Sequence, residues 1–382
     1  MDAVTTGIYE FGVRAEALVA AYERTGYRRA QPAILQPAEP FLDLSGEDIR
    51  RRMFLTSDAR GREMCLRPDF TIAVSRDYLA SPAAGSVAGF CYLGPVFRQE
   101  DEGTGELLQA GIESFGRRDI AAADAEMLAL GLETAVHYGV ENPEIRMGDV
   151  GLFAALVQAL DLAPIWKRRL VKDFNRKANL AQDLDRLSLG AVSARPEYQG
   201  VLAALAGSDP KGAHALVTDL LSIAGITTVG GRSVGEIADR FLEQAALGAA
   251  TALPQEVRRL IERFLTIAGD PDEAAAELRA LASDAKLALA PVLDLFESRA
   301  GFFAARGVEV PRIRFSAAFS IGLDYYSGFE FRLHDPKSQI TGPLVAGGRY
   351  DNLLSRLGSK EPIPAIGFGA WIDRLAACRG LT

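Results

Sequence analysis

The chain has little of what redox, metal and membrane chemistry require. Of its 382 residues only 3 are cysteine, 3 histidine and 2 tryptophan. Cys65, Cys91 and Cys378 have no paired metal spacing and are odd in number, which argues against a zinc module or a disulfide framework and predicts thiols in a reducing compartment. His137, His214 and His334 are scattered without ligand spacing, so neither a metal nor another cofactor is expected. No stretch approaches the roughly 18 apolar residues of a membrane span. The opening MDAVTTGIYEFGVRAEAL lacks the basic start and apolar core of a signal peptide, and a cytoplasmic protein is expected. Positive charge is also in deficit: 42 Lys plus Arg against 50 Asp plus Glu leave a net charge of −8. That balance disfavours nucleic-acid binding, where phosphate neutralisation supplies most of the non-specific affinity.

What remains is a globular composition, long enough for about two domains. Apolar spacing from Ile8 to about Arg24 predicts a helix stopped by Gly26. MFLTSDARGREMCLRP reads as two strands around an Asp-Ala-Arg-Gly turn, and FTIAVSRDYLAS as a helix. GFCYLGPVFRQE and LLQAGIESFG form a second hairpin across the polar EDEGTG. A helix over Asp119–Tyr138, a strand EIRMGDV and a helix LFAALVQAL follow. The stretch 163–299 is Ala- and Leu-rich with few strand signals, and is expected to be a mostly helical insertion. Within it, Asp270-Pro271 should cap a helix that Pro291 interrupts. Strand character returns at RIRFSAAF and FEFRLH. The expected fold is α+β: a discontinuous platform from 1–162 and 300–382, interrupted by the insertion.

Polar residues recur at strand spacing. Asp69 and Thr71, two apart in LRPDFT, face one side and suit an ammonium, although capping the next helix is the commoner use of such residues. In LLQAGIESF, Gln109, Gly111 and Glu113 share a face, with the glycine leaving room above the sheet. That face is either a ligand site or simply solvated. Arg98 and Glu100 share a face and could equally form a weak surface pair. In GLDYYSG one tyrosine ring should be buried while the other presents its hydroxyl. VAGGRYD is open between a turn and a backbone close to a ligand.

In order along the chain, LRPDFT, GPVFRQE…LLQAGIESFG, GLDYYSG, AGGRYDNLL and PAIGFGAWIDRL resemble the catalytic core of histidyl-tRNA synthetase, a class II synthetase, over roughly 8–150 and 310–375. The resemblance implies an antiparallel sheet flanked by helices and a histidine site. Asp69, where that family usually has glutamate, would take the α-ammonium with Thr71 and Gln109. Glu113 and Tyr326 would hold the imidazole, and Arg98 would lie near the carboxylate. Ile321, Gly322, Tyr325, Gly347 and Gly348 would line the pocket.

Three departures accompany it. Ile321 stands where the synthetase has the arginine that stabilises charge as carboxylate attacks ATP, and loss of such a group typically costs on the order of 10²–10³ in rate. The loop EDEGTGELL is short and acidic where the synthetase loop carries arginines. Only eight residues follow Arg374, the match to an ATP-binding arginine, too few for an anticodon-binding domain of on the order of 100 residues. Recognition without chemistry resembles the ATP phosphoribosyltransferase regulatory subunits. That resemblance implies a non-catalytic chain with no catalytic residue of its own. It implies a homodimer that binds histidine as effector, does not bind tRNA, and joins a short-form catalytic subunit in a hetero-octamer at the first step of histidine biosynthesis. The absence of an acidic, Thr/Ser-Gly phosphoribosyl pyrophosphate cradle agrees. The alternative is a truncated ligase that forms histidyl-adenylate for an acceptor other than tRNA.

Overall fold

The computed structural model describes residues 3–100, 103–189, 210–223, 228–229, 232–233 and 253–379. Asp101 and Glu102, in the acidic loop singled out above, lie outside them.

The strands are β1 (Arg28–Arg29), β2 (Leu35–Pro37), β3 (Leu55–Ser57), β4 (Glu63–Leu66), β5 (Ala88–Phe97), β6 (Glu106–Phe115) and β7 (Glu144–Asp149). They continue as β8 (Thr228–Val229), β9 (Arg232–Ser233), β10 (Ala268–Gly269), β11 (Ile313–Ser316), β12 (Phe329–His334), β13 (Val345–Arg349) and β14 (Ala365–Trp371). Nine of them form one sheet in the order β1-β5-β6-β14-β13-β12-β7-β11-β10. Its centre is antiparallel, while β1 runs parallel to β5 and β11 parallel to β7. Both hairpins read from the sequence form, β3–β4 and β5–β6. In the first, Asp58 accepts the N–H groups of Arg60 and Arg62 at 2.8 and 2.9 Å and Gly61 turns at φ +78°. VAGGR is a fully buried strand rather than a turn.

Register divides the sheet into two unlike faces, since directly opposed residues project to the same side. One row runs Cys91–Ile112–Phe368–Gly347–Phe331–Met147. It is buried under the helices Ala3–Arg24 and Ile120–His137, with the Tyr22 ring 6.1 Å from that of Phe368. The next row, on the other face, runs Tyr92–Gly111–Gly369–Ala346–Arg332–Arg146. Two glycines and an alanine at its centre leave room for neighbouring side chains to bend across the sheet between the tyrosine and the arginine.

By contacts, Met1–Ala155 with Phe264–Thr382 make one compact unit and Leu156–Arg263 another. The segment 264–299, assigned from composition to the insertion, therefore packs with the platform. Phe264 lies against Phe153, and Arg299, in the helix Ala290–Ala305, is only 1% exposed between Asp124 and Asp149, each at 2.8 Å. Asp270 caps the helix Pro271–Asp284 as expected, accepting from Asp272 and Glu273 N–H. Pro291 does not interrupt that helix; it sits in the first turn of the next one, where its missing N–H costs nothing. The second unit, where described, is helical (Pro164–Asp173, Lys177–Leu189, Pro210–Ile223) with the small β8–β9 hairpin.

Candidate functional site

On the open face of the sheet lies a cavity of about 200 Å³. Its floor is Gly369 and Ala346. Around it stand Asp69, Thr71, Tyr92, Arg98, Gln109, Ile321, Tyr325 and Tyr326, with Arg52, Arg332, Trp371 and Arg374 among the further lining groups. Residues from 69 to 109 and from 321 to 326 are thus brought together by the pairing of β6 with β14 and of β13 with β12.

The glycines explain how polar side chains fit over a β-sheet. A Cβ on Gly369 would stand 2.5 Å from Gln109 Nε2, and one on Gly111 would stand 2.4 Å from the Tyr92 hydroxyl. The space is therefore taken by neighbouring polar side chains that bend across the floor, which only glycine permits.

Asp69 takes the capping use with one oxygen and leaves the other unengaged. Its Oδ1 accepts the N–H of Ile72 at 3.1 Å and so holds the start of the helix Thr71–Ala80. Its Oδ2 is buried without a hydrogen-bond partner. Burial raises the Asp69 pKa, against the lowering effect of the Ile72 N–H and the Arg98 charge. Gln109 Oε1 is likewise buried and unpartnered, as are the donors Arg52 Nε, Arg332 Nε and Trp371 Nε1. Buried polar atoms are nearly always paired. Here two acceptors and three donors, all on residues lining one cavity, are not.

Each arginine is anchored to a backbone carbonyl or an acidic side chain of its own. Arg98 Nε donates to the Pro68 carbonyl at 2.8 Å, and Glu100 lies 3.8 Å from Arg52 rather than pairing with Arg98. Arg374 donates to the Pro343 carbonyl at 2.9 Å with its guanidinium 5.1 Å from the Trp371 ring centroid. Arg332 donates to the Ile321 carbonyl at 2.9 Å. Burial pulls Arg98, Arg332 and Arg374 below the usual guanidinium range, yet a guanidinium stays charged in proteins.

Some residues singled out from sequence stand behind the walls. Glu113, fully buried, accepts hydrogen bonds from Thr71 Oγ1 at 2.7 Å, from the Tyr92 hydroxyl at 3.4 Å and from the Tyr350 hydroxyl. Burial pushes its pKa up to about 8 despite these donors. It meets the cavity through Thr71 and Tyr92, which line it. Gly348 gives way to the Tyr326 ring, whose Cε1 would be 3.0 Å from an added Cβ. Gly347 belongs to the opposite, apolar row, and Gly322 makes the turn into Leu323 at φ +85°; neither lines the cavity. The Tyr325 and Tyr326 rings, 4.8 Å apart, both line it.

Sequence reasoning missed Arg52, Trp371 and Arg332. Alternation in FEFRLH puts Arg332 beside Glu330 on a polar face, a pattern that reads as solvated until the pairing with Ala346 places it over the floor.

The histidyl-tRNA synthetase family profile matches residues 12–222 and 212–375. The ATP phosphoribosyltransferase regulatory subunits of Brucella canis and Brucella melitensis are each 41% identical to this chain over 348 residues, spanning 91% of it and 92% or 91% of their own length. Among solved structures, an ATP phosphoribosyltransferase regulatory subunit/histidyl-tRNA synthetase from Bacillus halodurans superposes with a TM-score of 0.64 at 19% identity, covering 99% of this chain and 80% of that one. Histidyl-tRNA synthetase from Nostoc sp. PCC 7120 gives 0.61 at 16%, covering 100% of this chain and 74% of that one. The two structures establish the class II synthetase-like fold. With a mixed sheet, a polar cavity on its open face and close relatives over nearly its whole length, the chain belongs to the ATP phosphoribosyltransferase regulatory subunits, a family built on the histidyl-tRNA synthetase fold.

Proposed function

We propose that this chain binds free histidine in the cavity and carries that signal to a short-form ATP phosphoribosyltransferase catalytic subunit, without catalysing a reaction itself. The observation that carries the reading is the set of five unpartnered buried atoms. A zwitterionic amino acid matches them: its ammonium meets Asp69 Oδ2 and Gln109 Oε1, and its carboxylate meets the N–H donors. Thr71 and Tyr326 then form the imidazole end, with Glu113 acting from behind them through its hydrogen bond from Thr71. Arg98 lies at the carboxylate side. Charge-assisted hydrogen bonds of this kind contribute roughly 1.5–3 kcal/mol each.

The absence of catalysis follows from Ile321. Its side chain carries no charge to stabilise a carboxylate attacking ATP, where the resemblance places an arginine. The family's homodimer through the platform and a hetero-octamer with the catalytic chain complete the reading, with the effect on the first step of histidine biosynthesis expressed through that assembly.

Titration calorimetry of the isolated chain with histidine tests the binding, and saturable heat at one site per chain is expected. No heat at millimolar histidine would overturn the reading. The adenylate-forming alternative keeps some support from Arg98, Glu100 and Arg374, which all line the cavity. Histidine-dependent ATP–pyrophosphate exchange by the isolated chain would favour it; none is expected.

A further inference from the structure

A cation stands beside Ile321 on the strand β12. Arg332 stands two residues beyond Glu330 on β12, opposite Ala346, at one end of the row whose centre is the cavity floor. Its Nη2 donates to the carbonyl of Ile321 itself, so the guanidinium sits beside the position at which the expected cation is absent. Arg332 forms no salt bridge among the described residues. The acidic residue on the same strand, Glu330, turns its Oε2 to the Ile321 N–H at 2.7 Å, and Arg146 lies directly opposite Arg332 on β7. Nε of Arg332 is buried and has no acceptor. A guanidinium that is desolvated, charged and left with an open donor is costly to bury unless an anion completes it.

We infer that Arg332 is a specificity-determining ligand contact, which binds the carboxylate of the amino acid held in the cavity. This rests on the histidine-binding reading and deepens it. Asp69 and Gln109 approach from the β6 side of the floor and Arg332 from the β12 side. The two groups are therefore placed to hold the two charged ends of one zwitterion across Gly369 and Ala346. Such an arrangement uses a cation for recognition and leaves it anchored to backbone at Ile321. A structural role, bracing the Ile321 peptide together with Glu330, predicts no such discrimination.

The two roles separate with a pair of ligands that differ only in the carboxylate, histidine and histamine. Calorimetry on the full chain is expected to show histidine preferred by about 10- to 100-fold, as for one charged hydrogen-bonding contact. In Arg332→Met that preference should fall about 10-fold, with histamine affinity little changed. Arg332→Gln keeps a polar N–H₂ donor at the position of the arginine Nε while the charge is gone, and it should behave the same way. An undiminished preference in either folded variant would overturn the assignment, as would equal binding of the two ligands by the wild-type chain. A wild-type chain that binds neither ligand overturns the histidine reading itself.

Discussion

Glu113 and Glu330 lie on one row of the sheet, joined through Gly367 and Gly348. Both are fully buried, and burial pushes each pKa up to about 8, against the hydroxyls that bond Glu113 and the Ile321 N–H that bonds Glu330. An acid whose folded-state pKa is raised favours the fold while protonated. Its contribution is complete below the unfolded value near 4.5 and is lost as pH climbs to about 8. Between those limits stability should fall with rising pH, by up to about 1.4 kcal/mol per pH unit for each group. Glu113→Gln cannot ionise, so its urea-unfolding free energy should decline less steeply over this range than that of wild type; equal slopes would show that Glu113 is ionised in the fold. Asp69 offers a second test. In Asp69→Asn the side-chain carbonyl can still accept the Ile72 N–H, while an N–H₂ replaces the oxygen that faces the ligand. Histidine affinity should drop about 10-fold or more with little change in melting temperature. A parallel loss of both would make Asp69 a cap alone.

At the scale of elements, the glycines of β6 and β14 separate function from folding. Gly369→Ala would place Cβ 2.5 Å from Gln109 Nε2, the movable end of a side chain, whereas Gly111→Ala would place it 2.2 Å from the Phe368 carbonyl, which is fixed backbone. The first variant should fold and bind histidine poorly because Gln109 is displaced; the second should lose stability outright. Chemical denaturation beside calorimetry reads both, and equal destabilisation would remove the distinction. The sheet's far end depends on Arg299 and Arg349, which share Asp124 in a buried network reaching Asp149 and Asp351. Arg299→Met leaves two buried carboxylates short of a partner, at a cost of about 3–5 kcal/mol in urea unfolding. A loss below about 1 kcal/mol would mean that water reaches Asp124 once the guanidinium is gone. None of this network was legible in the sequence, because Arg299 in ESRAGFF reads as an exposed helix position. The hairpins, the helix after Pro68 and the polar alternation of β6 were legible, since each shows in the local pattern of a single segment or of two segments joined by a short turn. Arg332, Trp371 and the apolar placement of Gly347 were not. They follow from the register in which β12, β13, β14 and β6 pair, and a shift of one residue would reverse each.

For the whole molecule, the proposed function requires that a site on the sheet alters association with another chain. Three free cysteines, two of them buried with thiol pKa values raised by burial to about 12 and about 11, offer no thiolate for redox control. Among the described residues no helix is long and apolar enough to cross a membrane. Under the proposed function, histidine is the input. Linkage makes the consequence quantitative: if histidine changes the affinity of this chain for the catalytic subunit by some factor, the catalytic subunit changes histidine affinity by the same factor. Couplings of this kind are typically 1–3 kcal/mol, or about 5- to 150-fold. Calorimetric titration of the catalytic subunit into this chain, with and without saturating histidine, should give one factor. Titration of histidine into the free chain and into the complex should give a second, equal to it. Asp69→Asn, tested at histidine concentrations that saturate wild type alone, should abolish the effect on association while leaving the ligand-free association unchanged. Unequal factors would place a second histidine site on the catalytic subunit, and factors of one would leave the cavity with no hold over the assembly.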